Sequence, residues 1–105
     1  VTGKEGEEIY TEEFGRIKVK FHWDPSDKND ESTSCWIRVA TLWSGKQWGT
    51  LFTPRIGHEV VVSFIDGDPD KPLVIGSVYN GENKPPYLPE APTKSTIKTQ
   101  TSKSD

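Results

Sequence analysis

The sequence has no methionine and a single cysteine, Cys35. One cysteine excludes an internal disulfide and a metal cluster held by several thiolates, and it leaves the redox compartment open. Because translation begins with methionine, we interpret the 105 residues as a segment of a longer polypeptide. No apolar run approaches the ~18 residues that cross a bilayer, and no signal-peptide pattern opens the chain, so we expect no stable membrane insertion.

Hydrophobic residues are also scarce, at 31% of the chain, and the mean hydropathy is -0.69. A chain of this length and composition holds one small domain, with part of it outside any core. Positive charge is not in excess, because 13 Lys and Arg stand against 16 Asp and Glu and give a net charge of -3. The molecule as a whole therefore does not attract phosphate or anionic lipid, and such a contact needs a local basic patch.

The chain lacks the 3.6-residue apolar period of a helix and shows strand-like alternation instead. The clearest case is GRIKVKFHWD, residues 15–24, whose successive side chains point to opposite faces of an extended strand. Its basic face consists of Arg16, Lys18, Lys20 and His22, and its apolar face of Ile17, Val19, Phe21 and Trp23. We predict that the apolar face lies in a core. The basic face is predicted to be solvated or between subunits, with opposite charges available in DKNDE and DGDPD.

Two β-branched runs, HEVVVSFI and PLVIGSVYN, flank the turn sequence DGDPDK and predict a hairpin over residues 59–79. CWIRVAT, residues 35–41, predicts another strand, and LWSGKQWG predicts a turn whose arms are pinned by two indoles. TLFTPRIG, residues 50–57, predicts a short strand that Pro54 and Gly57 stop. Five short strands with polar or Gly- and Pro-rich joints favour an all-β barrel or sandwich. The predicted core consists of Ile17, Val19, Phe21, Trp23, Ile37, Val39, Val60, Val62 and Phe64.

Several apolar side chains have no place in that core. Val61 and Ile65 fall on the outward face of the hairpin and need cover from a loop or another subunit. Trp36 also falls on an outward face, and we predict that it contacts another subunit. The C-terminal STIKTQTSKSD has one apolar residue, Ile97, which cannot offset the ~1–2 kcal/mol per residue that backbone ordering costs. Its alternating Thr and Ser predict a strand that orders only beside other strands, with Ile97 in the contact.

Four long strings occur in order along the chain: GRIKVKFHWD, NDESTSCWIRVA, WGTLFTPRIGHEVVVSFIDGDPDKPLVIGSVYNGENKPPY and KSTIKTQTSKS. In order and spacing they resemble one domain of the VgrG family, the spike proteins of bacterial type VI secretion, which are related to the central spike of contractile phage tails. The resemblance implies a five-stranded antiparallel β-barrel of the oligonucleotide/oligosaccharide-binding (OB) type over residues 14–82. Residues 1–13 would then be a leader from a preceding hub region. Residues 83–105 would be an extended, proline-rich linker and the first strand of a trimeric β-helical needle.

The resemblance also implies how the domain works. It would be a structural part of a homotrimer that sits on an Hcp-type secretion tube and carries an effector or tip protein. The protein would reside in the bacterial cytoplasm before firing and would then be delivered into a target cell. The equivalent domain of a phage tail spike is a related alternative. In either setting we expect no enzymatic activity, no catalytic residue, no metal and no cofactor.

The residues themselves leave one alternative from another class, an OB module that binds single-stranded nucleic acid or glycan. Such modules combine cations and aromatic rings on the same outer surface, whereas Phe21 and Trp23 share the core parity here. The acidic loop over residues 24–31 lacks the glycine of a calcium-binding EF-hand loop. Only His22 and His58 can act as near-neutral bases, and no Gly-x-Ser-x-Gly elbow accompanies them.

Overall fold

The computed structural model of the chain describes residues 1–102. Its three regular strands are β1, Arg38–Val39, β2, Glu59–Phe64, and β3, Pro72–Val78. A short 3₁₀-helix, Ile65–Gly67, follows β2, and residues 1–102 contain no α-helix. The described part of the chain therefore consists of strands and irregular segments, as the missing helical period predicts.

β2 and β3 form the predicted antiparallel hairpin. The register pairs Val60 with Ser77, Val62 with Val74 and Phe64 with Pro72. The ladder is interrupted by an irregularity between Val61 and Val62. The connecting turn closes tightly because Asp66 and Gly67 adopt left-handed φ angles of 56° and 70°, a region that aspartate and glycine tolerate better than most residues.

β3 is the central strand of the sheet, whose order is β1-β3-β2. β1 lies parallel to β3, with Arg38 opposite Leu73 and Val39 opposite Val74. The wholly antiparallel arrangement implied by the resemblance is wrong for this pair. Parallel neighbours need a long connection, and the connection between β1 and β3 is long because it contains all of β2.

The predicted first strand is not a regular strand in this structure. Ile17 exchanges both backbone hydrogen bonds with Ile37, at N–O distances of 2.9 and 2.7 Å. The Lys18 carbonyl accepts a bond from the N–H of Thr2 at 2.9 Å, and both contacts are isolated bridges. Within residues 1–102 the structure therefore shows an open three-stranded sheet and not the closed five-stranded barrel.

Trp23 lies outside the core, contrary to the prediction from alternation, and is 70% exposed. The backbone leaves the strand path before this residue. The N–H of Val19 donates to the hydroxyl of Ser34 at 3.0 Å, and the N–H of Asp24 donates to the carbonyl of Phe21 at 3.0 Å, which closes a turn. Trp23 stacks on Phe21, with ring centroids 4.7 Å apart, at the edge of the core.

The core is small and joins three segments of the chain. Its buried members are Ile17, Val19, Ile37 and Val74, and the partly buried side chains packed against them include Phe21, Val39, Val60 and Val62. Phe64 is half-buried and lies next to the ring of Phe21, with centroids 6.0 Å apart. Because the buried apolar side chains of the described chain come from residues 17–19, the β1 region and β3, these three segments form the core.

Residues 41–50 form a small hairpin, which we call the tryptophan hairpin. Its arms are joined by a bond from the N–H of Gly45 to the carbonyl of Trp48 at 2.7 Å and by one from the N–H of Thr50 to the carbonyl of Trp43 at 2.8 Å. The two indoles meet edge to face at 5.0 Å, as the sequence predicted for a turn pinned by tryptophans. Glycine is required at position 45, because a Cβ there would collide with the indole of Trp48.

Candidate interaction surfaces

The basic side chains of residues 16–22 are engaged within the chain. Arg16 donates through Nε and Nη2 to the carboxylate of Glu12, at 2.9 and 3.2 Å. Lys18 Nζ donates to the carbonyl of Glu31 at 2.8 Å, and Lys20 Nζ donates to the carbonyl of Ser26 at 2.6 Å. The predicted loop over residues 24–34 is thus the partner of the lysines, although it offers them backbone carbonyls and not carboxylates. A nucleic-acid phosphate would have to displace these contacts.

The Arg16–Glu12 pair has a clear electrostatic signature. The bidentate guanidinium holds the pKa of the Glu12 carboxyl below its ordinary value, chiefly through the side-chain hydrogen bond. The same bond raises the pKa of Arg16. Glu12 Oε1 also accepts a hydrogen bond from the backbone N–H of Arg16 at 3.1 Å. This bond closes the turn that comes directly before Ile17 in the core.

Trp36, predicted at a subunit contact, is half-buried by its own chain. Its ring stacks on Tyr10 with centroids 5.1 Å apart and an interplanar angle of 25°. Lys18 Nζ lies over the same ring at 4.9 Å from the centroid, which is a cation–π contact. The alternation within a strand does not indicate this contact, because Tyr10 and Trp36 come from different segments of the chain. Trp36 therefore has less surface to offer a second subunit than its parity suggested.

An apolar cavity of about 310 Å³ lies between residues 19–23 and β2. Val19, Phe21 and Trp23 line one side, and Val60, Val62 and Phe64 line the other. At its rim His22 Nε2 lies 2.9 Å from Glu59 Oε2, and the amide of Asn80 approaches the other oxygen of Glu59 at 3.5 Å. The predicted core residues of two strands thus face each other here without a backbone ladder between them.

The outward face of the β2–β3 hairpin is apolar and exposed. Val61 is 42% exposed, Ile65 is 38% exposed and Ile75 on β3 is 52% exposed. A Cβ at Gly76, opposite Val61 in the register, would meet no atom within 4 Å. We call Val61, Ile65 and Ile75 the outer-face patch. It includes the two hairpin residues that the sequence predicted to need further cover.

A second apolar surface lies on and beside the tryptophan hairpin. Its members are exposed by 57 to 93%. We call this surface the hairpin patch, and it consists of Leu42, Trp43, Trp48, Leu51 and Phe52. The sequence indicates an apolar surface here, since the stretch TLWSGKQWGTLFT carries a single charge, at Lys46.

The tail lies back on the domain in this structure. The guanidinium of Arg55 donates through Nη2 to the carbonyl of Gln100, and the hydroxyl of Ser102 bonds Glu8 Oε2 at 2.8 Å. Ile97, the predicted contact residue of the needle strand, is 84% exposed. The predicted strand continues into residues 103–105, which lie outside the described residues.

The two histidines have separate settings. His58 Nδ1 accepts a bond from the N–H of Arg55 at 3.1 Å, and partial desolvation lowers the pKa of this imidazole. His22 pairs with Glu59 at the cavity rim. Within residues 1–102, no group of three or more His, Cys, Asp or Glu side chains is arranged to hold a metal ion.

The comparison with known families bears on all of these surfaces. Residues 7–79 match the model of the type VI secretion system/phage-baseplate injector OB domain. The chain belongs to the VgrG type VI secretion spike family. It is 54% identical over 104 residues to the type VI secretion system spike protein VgrG1a of Pseudomonas aeruginosa, across 98% of the chain. It is 50% identical over 102 residues to spike protein VgrG3 of Vibrio cholerae and to the actin cross-linking toxin VgrG1 of the same species, across 96% of the chain.

The chain spans only a small part of these VgrG relatives. It covers 16% of the length of VgrG1a, 10% of VgrG3 and 9% of the toxin VgrG1. The matched part is the injector OB domain. Among the described residues, no helix has the length and apolar composition to cross a membrane.

Proposed function

We propose that this VgrG domain is a structural, non-enzymatic part of a homotrimeric type VI secretion spike. The family match over residues 7–79 carries this proposal. In it, residues 14–82 are the barrel, residues 1–13 lead in from a hub, and residues 83–105 lead out as a linker and first needle strand. The toxin activity named for the Vibrio cholerae relative is not assigned to this chain, which covers 9% of that protein.

Closure of the barrel is supported by the cavity between residues 19–23 and β2. The two segments face each other with matching apolar side chains, and the His22–Glu59 contact at 2.9 Å already bridges them at the rim. A ladder along this seam would bury Trp23 and would pair the outer edge of β2, which otherwise remains an open edge. We propose that this seam closes in the assembled spike.

Trimerisation is supported by apolar surface that the single chain leaves in water. The outer-face patch, the hairpin patch and Ile97 all gain cover if sister chains share an axis. Three tails that pair with one another would also satisfy one another's backbone groups, so the needle would leave no free edge. Local unfolding under axial load would then be costly.

The proposed partners follow from the proposed position of the domain between the hub and the needle. The spike would sit on an Hcp-type tube, carry an effector or tip protein, and pass from the bacterial cytoplasm into a target cell. The domain would transmit force between the hub and the needle. We assign it a mechanical role, because Arg16, Lys18 and Lys20 are engaged in contacts within the chain and large apolar side chains are left exposed.

Light scattering after size exclusion tests the trimer. We expect the full-length protein to be a trimer and the 105-residue chain to be a monomer or a weak trimer, because the needle supplies most of the contact between chains. A full-length protein with the mass of one chain would overturn the proposal. A matched version extended only past Asp105 should gain mass, and an unchanged mass would show that the tail does not start the trimer.

A further inference from the structure

The first two residues of the chain bond both sides of the apolar cavity. On one side, the N–H of Thr2 donates to the carbonyl of Lys18 at 2.9 Å. On the other side, the carbonyl of Val1 accepts a bond from the N–H of Gly57 at 2.9 Å, and the Val1 nitrogen donates to the carbonyl of His58 at 2.7 Å. Val1 also lines the cavity and packs against the core. Residues 1–2 therefore lie at one end of the gap between residues 19–23 and β2.

The bridge between Thr2 and Lys18 fixes the direction in which a preceding segment runs. The bridge is antiparallel, so the chain before Thr2 runs alongside the residues that follow Lys18. Ile17 directs its own N–H and C=O to Ile37, on the opposite edge. Because these groups alternate between the two edges of an extended strand, Lys20 presents its N–H and C=O on the same edge as Lys18. The path of a preceding segment thus leads into the cavity.

The cavity has the edges and the space that one more strand requires. β2 is an edge strand of the sheet, so its outer N–H and C=O groups can pair with a further strand. Two strands that flank a third lie about 9.5 Å apart, and the ends of two long side chains, His22 and Glu59, meet across the rim of this gap. The volume of about 310 Å³ is roughly ten times that of one water molecule in the liquid, whereas packed interiors leave few voids larger than a water molecule.

Resting on the barrel and the hub connection proposed above, we infer that the residues directly before Val1 enter this cavity as a strand and close the barrel between residues 19–23 and β2. The occupant is a segment of the same chain, because Val1 and Thr2 already hold its end on both sides of the gap. A segment joined covalently to Val1 has a high effective concentration at the gap, which a sister chain or another protein lacks. The two sides of the seam are then bridged by the inserted strand and do not pair directly.

The face of each side chain in the inserted strand follows from the same register. Thr2 lies opposite Lys18, and its Oγ1 lies 2.6 Å from the hydroxyl of Thr33. Lys18 Nζ donates to the carbonyl of Glu31, so both side chains reach the same loop on the outer face. Val1 lies on the other face and packs against the core. Outward and inward positions therefore alternate backwards along the chain from Val1.

The two positions before Val1 have opposite surroundings. The residue directly before Val1 falls opposite Lys20 on the outer face. The second residue before Val1 falls opposite Phe21 and points into the cavity. We expect this second residue to be apolar, because a charge buried there without a partner is costly. A charged residue at that position would contradict the insertion.

Disulfide formation in the full-length protein tests the insertion, in a Cys35→Ser background that removes the exposed native thiol. A cysteine directly before Val1 should pair with Lys20→Cys, since opposite residues of neighbouring strands lie about 5.5 Å apart, within disulfide reach. Moving that cysteine one residue further from Val1 turns it to the other face and should lower the disulfide yield at least fivefold. Peptide mapping by mass spectrometry, with a count of free thiols, measures the yield.

Phe21→Cys should show the reverse preference, with the higher yield for the cysteine placed two residues before Val1. Lys20→Cys changes an outer-face residue and leaves the core intact, so the first pair decides the question even if Phe21→Cys does not fold. A disulfide that joins two chains, seen as a doubled mass on a non-reducing gel, would show that a sister chain fills the cavity and would overturn the inference.

The absence of a disulfide in both pairs would also overturn the inference, and hydroxyl-radical footprinting of Trp23 then separates it from the proposed barrel. Trp23 is 70% exposed in the single chain. A protected Trp23 without either disulfide would show that residues 19–23 and β2 pair directly. A reactive Trp23 without either disulfide would show that the barrel itself does not close. Light scattering on the same sample reports the trimer independently, because the inserted strand belongs to a single chain.

Discussion

Ile17→Ala and Ile97→Ala delete the same atoms from opposite environments. Ile17 is 0% exposed and belongs to the buried core, whereas Ile97 is 84% exposed in the tail. The backbone of Ile17 is also fixed by two hydrogen bonds to Ile37, so the site cannot easily collapse when the side chain is shortened. The pair therefore separates the stability of the core from the contribution of the tail.

The expected costs differ by several kcal/mol. Each buried methylene-sized group contributes about 0.8 kcal/mol, and the cavity left behind adds to the loss, so Ile17→Ala should cost about 3–4 kcal/mol. Ile97→Ala should change the free energy of unfolding by less than about 0.5 kcal/mol. Since domains of this size are stable by about 5–15 kcal/mol, and the core here is small, Ile17→Ala should remove about half of the total.

Urea unfolding of the 105-residue chain, followed by tryptophan fluorescence, measures both changes. The slope of the free energy against urea should stay the same for both variants, because the exposed surface on unfolding changes little. Equal costs for the two variants, or a cost below about 1 kcal/mol for Ile17→Ala, would refute the assignment of the core.

Two further predictions concern charge. Arg16→Gln should raise the pKa of Glu12 toward its ordinary value of 4.5, as measured by NMR titration, while Arg38→Gln should not. Because the pKa of Glu12 is lower in the folded chain than in the unfolded chain, the Arg16–Glu12 pair stabilises the fold at pH values above the ordinary pKa of glutamate. This stabilisation is lost as the pH falls through the pKa of Glu12 in the folded chain. In an oligonucleotide titration, the chain should show no salt-sensitive shift, because Lys18 and Lys20 donate to loop carbonyls. A shift that Lys18→Glu with Lys20→Glu abolishes would support nucleic-acid binding instead.

The elements that the sequence predicted well depend on local signals. The β2–β3 hairpin follows from two β-branched runs and a turn whose Asp66 and Gly67 tolerate left-handed backbone. Alternation also placed Ile17 and Ile37 toward the interior, where both are buried. It failed at Trp23, because the hydrogen bond that closes the turn after Phe21 depends on the fold around it and not on residue parity.

The misses concern partners that are distant in sequence. Nothing in the alternation of CWIRVAT indicates that β1 pairs in parallel with β3, since pairing direction depends on the route of the long connection. The opposite charges expected for Lys18 and Lys20 were placed in the right loop, but the structure uses its carbonyls. Trp36 was predicted to contact another subunit from its outward parity. Parity within one strand does not indicate its stacking on Tyr10, which comes from a separate segment.

The central position of β3 has a consequence for biosynthesis. β3 comes last of the three strands within residues 1–102, yet β1 and β2 each pair with it and not with each other. A nascent chain therefore cannot complete its sheet until Val78 has left the ribosome, and the earlier segments must wait without their main partner. The tail emerges immediately afterwards, so the proposed pairing of the tail with sister chains would become possible at the same stage as completion of the sheet.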